Sequence, residues 1–405
     1  MISIESMLTY IQKKWYFGSV QKMCPMRIAI NTRFLIMNKL EGIGWFTYET
    51  LSRIVRSHPE HHFYFIFDRK PDPKFIFSTN VTPVILYPQA RHPILWYLWF
   101  EFSVRRFLKR IKPDLFISTD GFLPLHSSIP SIGVIHDINF HHYAEGLPLL
   151  TRKYYNHFFT QFAHKASRIV TVSEYSKNDI AKSFNVSEDK IDVVYNGVNT
   201  KFKPVDEEEK VKVREVYSNG NPYFVFVGAL NPRKNVARLL QAFDLFLEMS
   251  GMNYSLVIVG EKMFMTKDIT NAYKSMKNKD TVSFTGRLQV DELRRVVGAA
   301  TAMTFVPYFE GFGIPMLEAM NCDVPLIASD RTSMPEVAGD AAYYVDPFSV
   351  ESIAQAMKLI AIDEKLRDGL VAKAQKRKLL FSWDITAEKF YDSINHVLTE
   401  IKKNA

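Results

Sequence analysis

The feature that most constrains this chain is a rhythm of short β-rich apolar runs alternating with helical patterns, interrupted once near the middle and then resumed. The first series opens at 26–31 (MRIAIN) and continues at 63–67, 81–86, 115–118, 132–135 and 169–172. Such runs, each followed by a helical segment, are the pattern of βαβ units and a parallel sheet. The interruption falls at Tyr195-Asn196-Gly197-Val198, a turn signal, followed by Pro204 and the acidic run 206–209. A second series then runs through 223–227, 255–259, 282–285, 302–306 and 325–328. The chain has 405 residues, more than one hydrophobic core usually serves.

The reading is therefore α/β, with two tandem Rossmann-like doubly wound domains, 26–204 and 205–380. The carboxyl ends of their sheets face a central cleft, where ligands of such folds bind. Residues 381–405 are expected to form an amphipathic helix crossing back toward the N-terminal domain. Residues 1–25 precede the first strand and are expected to lie outside the fold as an extension.

Composition narrows the function classes. With 47% apolar and 23% charged residues, the chain is globular rather than disordered or fibrous. Cys24 and Cys322 are far apart and match no metal-ligand spacing, so a reducing, cytoplasmic setting fits, with Cys322 a small buried residue. A net charge of +8 attracts anions without choosing among nucleic acid, anionic lipid and phosphorylated small molecules. No apolar run is long enough to cross a membrane, and 1–25 lacks a signal-peptide core; the expectation is a chain neither membrane-spanning nor exported.

The segment 307–320, PYFEGFGIPMLEAM, carries the most chemistry. Gly311 and Gly313 let backbone approach a ligand closely, and the helix opening near Ile314 and Pro315 presents unpaired N–H groups and a positive dipole end. Glu310 stands at the rim, and Glu318, eight residues on, lies about two turns along. Taken alone, two glycines between a strand and a helix merely turn the chain. The spacing Glu, seven residues, Glu within EGFGIPMLEAM, however, resembles the signature of glycosyltransferase family 4, retaining enzymes of the GT-B fold.

That resemblance runs from Met26 to about Lys389 and implies roles residue by residue. Glu310 lies against the donor sugar and Glu318 binds the ribose, with Gly311, Phe312, Gly313 and Ile314 forming the donor-binding turn. Arg233 and Lys234, in FVGALNPRKN after the first strand of the second domain, take the diphosphate, whose charge grows as the glycosidic bond breaks. Ala229 departs from the family, which often has Arg there, so that arginine's work either comes from Arg233 or is absent. Asp323 stands where many relatives have glycine, a change that a left-handed turn tolerates. Gly42 and Gly44 match the family's glycine-rich loop facing the donor phosphates and acceptor. His136, at the end of a strand and followed by Asp137, matches the family's first-domain histidine and is expected to donate a hydrogen bond to the transferred sugar, with Asp137 orienting the ring. The loop Gly286-Arg287-Leu288 is expected to contribute donor contacts.

His126, His141 and His142 are near in sequence, but no carboxylate completes a ligand spacing and no Asp-any-Asp motif occurs, so no metal and no other cofactor is expected. Ser173 and Ser176 are expected to cap a helix, Ser176 with Asp179 in a capping box.

The function implied is retaining transfer of a hexosyl group, with GDP-mannose favoured over UDP- or dTDP-sugars, onto a saccharide or lipid-linked saccharide in cell-surface polysaccharide synthesis. The alternatives are a GT-B nucleotide-sugar epimerase, or a basic nucleic-acid-binding protein without enzymatic activity. Finally, residues 93–112, PILWYLWFEFSVRRFLKRIK, combine Trp96, Trp99, Phe100 and Phe107 with Arg105, Arg106, Lys109, Arg110 and Lys112. That composition suits a peripheral contact with an anionic membrane.

Overall fold

A computed structural model describes residues 25–37, 39–143, 147–261 and 267–403. The expected extension, 1–25, falls almost wholly outside the described residues.

Both strand series form parallel sheets, as the rhythm predicts. The first has seven strands in the order β3-β2-β1-β4-β5-β6-β7, the second six in the order β10-β9-β8-β11-β12-β13. In the first sheet β1 is Arg27–Asn31, β2 His62–Phe67, β3 Val81–Ile85, β4 Leu115–Ser118, β5 Ser131–Val134, β6 Arg168–Thr171 and β7 Ile191–Val193. In the second, β8 is Tyr223–Val227, β9 Ser255–Val259, β10 Val282–Gly286, β11 Ala302–Phe305, β12 Leu326–Ser329 and β13 Ala342–Val345. Counting from β8, the second sheet repeats the order of the first, which is the doubly wound arrangement. The central strands β4 and β8 are buried along their whole length, as strands covered by helices on both faces must be. Two strands lack a clear sequence signal, β7 and β13. Both are edge strands with half-buried residues, so their apolar pattern is weak.

Helices α1 (Gly42–Ser57) and α2 (Pro93–Leu98) cover opposite faces of the first sheet, and α3 (Leu149–Lys165) lies beside α2. Helix α4 (Glu174–Phe184) follows β6. In the second half, α5 (Val236–Ser250) follows the basic segment, α6 (Ile314–Asn321) follows β11 and α7 (Met334–Ala338) follows β12.

The last helix, α8 (Trp383–Lys403), returns to the first domain as expected. Trp383, Phe390, Ile394, Val397 and Leu398 join the core beneath α1, with Phe390 and Phe46 rings 5.4 Å apart. Burying each such side chain contributes about 2 kcal/mol, and this apolar stripe is what holds the helix against the first domain. The outgoing chain passes the returning one closely. A Cβ on Gly197 would lie 2.2 Å from the Trp383 nitrogen, and Thr386 Oγ1 donates to the Tyr195 carbonyl at 2.7 Å.

Candidate active site

The loop between β11 and α6 carries Glu310 into the cleft and is fastened from several sides. Thr332 Oγ1 accepts from the Glu310 amide at 3.3 Å, and Ser333 Oγ donates to the Glu310 carbonyl at 2.8 Å. The Phe309 ring packs against those of His142, Tyr143 and Tyr175 from the first domain. Gly313 has φ +92°, a left-handed value that favours glycine, and caps α6; Pro315 lies in its first turn.

The basic pair meets Glu310 directly. Asn231 caps the short turn Pro232–Lys234, its side chain accepting from the Lys234 amide. Asn235, also left-handed, donates to the Val306 and Pro347 carbonyls at 3.0 and 2.7 Å, tying this segment to the exit of β11. Arg233 Nη1 then reaches Glu310 Oε2 at 2.9 Å and the Phe309 carbonyl at 3.1 Å, and Lys234 Nζ donates to the same Oε2. Lys234 is 8% exposed, so this pair does not merely solvate a helix start. Ala229 is exposed and carries no charge, so the cations in contact with Glu310 come from Arg233 and Lys234.

Electrostatics follow from enclosure. Burial raises the Glu310 pKa, but Arg233 and Lys234 outweigh it and hold the carboxyl below its ordinary range. Arg233 is destabilised by burial, yet the carboxylate raises its pKa on balance. Lys234 is pulled both ways: burial and the Arg233 charge draw its pKa down, while Glu310 in direct contact favours the ammonium. The net direction is down, because burial is the larger cause; an arriving diphosphate would add to the opposing pull.

Glu318, on α6, is the opposite case. Its Oε2 is buried with no hydrogen-bond partner, and burial alone pushes its pKa up to about 7. A carboxylate in that position invites a hydroxyl donor.

From the first domain, His136 follows β5 and its Nε2 lies 3.0 Å from the Thr119 carbonyl. A carbonyl only accepts, so Nε2 carries the proton. Burial lowers the pKa, keeping the ring neutral against the pull of Asp137 and Asp120. A neutral ring so engaged leaves Nδ1 as an acceptor. The expectation that the ring donates to a sugar does not suit this tautomer, whose free nitrogen can only accept. Asp137 does not orient the ring; its Oδ1 accepts from the Asn139 backbone and side chain.

Gly311 is where the two domains touch. A Cβ there would fall 2.7 Å from Asp137 Cβ and 2.8 Å from the His136 carbonyl, and Ser173 Oγ donates to the Gly311 carbonyl at 2.7 Å. Glu336, on α7, accepts from the Glu174 and Tyr175 amides at 2.6 and 2.9 Å, capping α4 across the boundary.

Other expectations need adjusting. The Phe312 side chain is buried between Tyr195 and Phe381, so it packs instead of facing a donor. Ile314 opens α6, half-buried against the second core. Gly42 and Gly44 lie in the first turn of α1, not in a loop before it, and Gly44 is needed because a Cβ would meet the Phe34 carbonyl at 3.0 Å. Arg287 is committed to the Leu40 carbonyl of the first domain at 3.0 Å. Of the two serines only Ser173 caps α4 with its side chain, accepting from the Ser176 amide, while Asp179 engages His142 at 2.9 Å. His126 pairs with Glu101. Asp323 is left-handed, φ +55°, and Cys322 is buried with its thiol pushed up to about 12, both as read from sequence. Among the described residues, His58, Glu60 and His61 form a grouping with metal-ligand spacing. It lies at the amino end of β2, away from the cleft, and both ring nitrogens of His61 are engaged, by the Met26 amide and by Tyr391.

Sequence reasoning missed Glu336, Thr332 and Ser333, which no motif marks. It also missed Arg33 and Asp120, which stand after β1 and β4, where the carboxyl-end rule could have found them.

The family description "Glycosyl transferases group 1" matches residues 207–377, and "Glycosyltransferase Family 4" matches 40–202. O-antigen chain mannosyltransferase B of Escherichia coli is 27% identical over 68% of this chain and 73% of its own length. O-antigen chain mannosyltransferase RfbU of Salmonella typhimurium is 28% identical over 69% and 73%. Among solved structures, sucrose-phosphate synthase from Thermosynechococcus elongatus aligns with a TM-score of 0.75 at 16% identity, covering 93% of this chain and all of its own. Anabaena HepE in complex with UDP and glucose aligns at 0.71 and 14%, covering 91% of this chain and 99% of its own. These two likenesses concern the fold.

Proposed function

Since the chain belongs to glycosyltransferase family 4, with one family description matching each of its halves, we propose that it transfers a mannosyl group from GDP-mannose, with retention, onto a saccharide of a growing cell-surface polysaccharide. The observation that carries this reading is the contact of one carboxylate, Glu310, with two cations, Arg233 and Lys234, beside the N-terminus of α6. Two cations against one anion leave a formal positive charge where a diphosphate would lie. Mannose is favoured because the two relatives bear mannosyltransferase names. Those names favour neither an epimerase nor a nucleic-acid-binding protein.

In this proposal the bond from the anomeric carbon to the diphosphate oxygen breaks as the acceptor oxygen bonds to the same face, and the acceptor proton passes to the departing phosphate. Arg233 and Lys234 take up the charge of the leaving group. Glu310, exchanged by the diphosphate from its contact with them, faces the charged sugar. His136 Nδ1 accepts from a sugar hydroxyl, and Glu318 accepts from the ribose. No metal is assigned a role, the basic pair and the helix terminus supplying the positive field.

No helix among the described residues is long and apolar enough to cross a membrane. A peripheral contact is proposed through the first domain, with changed residues. Trp99 is fully buried and Trp96 donates to the Ala90 carbonyl, stacked on Tyr155, so both face inward. Ile94, Tyr97, Leu98 and Phe102 are the exposed apolar side chains of 93–112, and Leu149 and Leu150 on α3 extend the patch. Arg105, Arg106, Lys109 and Arg110 are exposed beside it, which suits an anionic surface.

The test is a panel of nucleotide sugars, read by thermal stabilisation and by slow hydrolysis. GDP-mannose should stabilise the protein most and be hydrolysed. Preference for a UDP- or dTDP-sugar would overturn the donor assignment, and silence toward all of them would overturn the reading.

A further inference from the structure

The carboxyl ends of β1 and β4 carry a buried polar network that the donor chemistry does not use. Arg33, two residues beyond β1, is 5% exposed, and its Nε donates to Asp120 Oδ2 at 2.6 Å. Asp120 is fully occupied: its Oδ1 accepts from Asn31 Nδ2 and Ser118 Oγ, each at 2.9 Å, and from the Phe122 amide at 3.3 Å. Arg33 is not. Its Nη1 is buried with no hydrogen-bond partner. The network adjoins the reaction centre, because Thr119 offers its carbonyl to His136 and its hydroxyl to the Asn31 carbonyl.

The walls around this guanidinium are aromatic. Its carbon lies 4.4 Å from the Phe122 ring centre, 5.1 Å from Phe34, 5.3 Å from Phe100 and 6.0 Å from Trp96. Phe34, in the turn after β1, and Trp96 are partly exposed, which gives access from the cleft and from the apolar patch on α2. Cation–π contact accounts for the faces of the guanidinium. It leaves the in-plane Nη1 hydrogens without an acceptor, a costly state for a buried donor.

We propose that Arg33, held by Asp120, is the acceptor-binding residue, and that its ligand is an uncharged pyranose of the acceptor, not its phosphate. The identification rests on the function proposed above and on charge. Asp120 balances Arg33, and Glu101, 6% exposed, adds a second buried carboxylate facing the same aromatic cluster; His126, which pairs with Glu101, is solvent-exposed. One cation against two carboxylates repels an anion. A sugar hydroxyl accepts from Nη1 without bringing charge, and the C–H face of a pyranose packs on aromatic rings such as Phe122 and Trp96. Continuity with Tyr97 and Phe102 through Trp96 places a lipid tail outside and the terminal sugar inside.

The experiment uses the full chain with octyl glycosides of mannose, glucose, galactose and N-acetylglucosamine as acceptors, against mannose 1-phosphate as an anionic sugar. Arg33→Gln should raise KM for the accepted glycoside by about ten- to hundredfold, the range for losing a hydrogen bond to a charged group. KM for GDP-mannose and its hydrolysis without acceptor should not change, and Arg33→Lys should not restore the loss. Should Arg33→Gln fail to fold, the native protein decides: the accepted glycoside should quench tryptophan fluorescence saturably, and Trp96→Phe should abolish that quench. An unchanged glycoside KM, a donor KM that moves instead, no glycoside quench, or tighter binding of mannose 1-phosphate than of any octyl glycoside would each overturn the assignment. If no nucleotide sugar is hydrolysed but glycosides still quench, the proposed transfer falls and the pocket stands.

Discussion

The two halves of the molecule solve the same positional problem with opposite chemistry. In each, an arginine placed after the first strand of the βαβ series pairs with a carboxylate placed after the strand beside it: Arg33 with Asp120 after β1 and β4, Arg233 with Glu310 after β8 and β11. The strand order is the same, so the backbone brings both pairs to the cleft. What differs is the company. The second-domain pair has Lys234 on the same carboxylate oxygen and stands beside the N-terminus of α6, which leaves net positive charge. The first-domain pair is walled by aromatic rings and has a second buried carboxylate near it. A doubly wound sheet thus fixes where a ligand goes, and the charge balance around one ion pair decides which ligand it is.

The strongest way to break the comparison is Glu310→Gln. With its charge removed, two enclosed cations remain, so affinity for GDP should hold or rise. Turnover should nevertheless fall about a hundred- to a thousandfold, as when a group aimed at developing charge is lost. Turnover within a few-fold of native, measured with saturating donor and acceptor, would remove Glu310 from the chemistry.

A smaller effect is expected from Lys234→Gln, which gives the second-domain pair the one-to-one balance of the first. GDP should bind about tenfold more weakly or worse, and the dependence of its binding on salt should flatten as one cation leaves the site. Isothermal titration at two salt concentrations checks both. If affinity and salt slope stay put, the extra cation is not what makes this half a diphosphate site.

Glu318 sharpens the contrast within the second domain, since it lies on the helix behind Glu310 yet has no counter-charge. Its pKa is raised from 4.5 to about 7 by burial. A raised carboxyl pKa means that the folded state binds the proton more tightly, so this contribution to stability is full below about pH 4.5 and is lost as pH rises through about 7. In Glu318→Gln, melting temperature should therefore depend less on pH across that window. Donor binding should show the reverse sign in the native enzyme. A hydroxyl donates to the ionised carboxylate, so affinity should improve with pH up to about 7, by at most about tenfold per pH unit, and the glutamine variant should lose that slope. A native enzyme whose donor affinity is flat from about pH 5 to 8 would dissociate Glu318 from the donor.

How far the sequence reached depends on what kind of signal each residue leaves. The two sheets were legible because buried parallel strands such as FVFV and LVIV read as apolar runs; β7 and β13 were not, because edge strands keep partly exposed residues. Glu310, Glu318 and the basic pair were legible from a motif and the resemblance it supports. The protonation of His136 was not, since it depends on a carbonyl seventeen residues away that only the packing of β4 beside β5 brings near. The burial of the Phe312 side chain was hidden for a similar reason. Its place in the motif said nothing of Tyr195 and Phe381, which arrive from the linker and the start of the returning segment. Arg33 and Asp120 carry no motif, yet both stand just past strand ends, and a search of every charged residue at such positions would have found the pair before the structure did.

The outer face of the first half carries exposed apolar side chains beside basic ones, and this yields the prediction with the least effect on chemistry. In the stretch 93–112, the helix passes through a π-helical segment, Trp99–Val104, between α-helical ends. Trp99 and Phe100 are buried there and Phe102 is 61% exposed, while Leu149 at the start of α3 is 67% exposed. Tyr97 joins the two helices, its ring 6.3 Å from Phe102 and 5.8 Å from Phe158. Indole contact with lipid is ruled out for Trp99 by its burial, so replacing Trp99 would report on folding and not on docking. The informative change is Phe102→Ser with Leu149→Ser, combined in a second variant with Arg105→Gln and Arg106→Gln. Co-sedimentation with anionic vesicles at low salt should fall severalfold in the first variant, through lost apolar contact, and further in the second, through lost attraction to headgroups. Turnover at saturating octyl glycoside should stay at the native level in both, because Phe102 would meet only the alkyl tail and none of the four side chains belongs to the polar network around Arg33 and Asp120. Equal sedimentation of native and variant protein would leave the aromatic wall around Arg33 as the only work of this helix, and would confine the difference between the halves to the cleft itself.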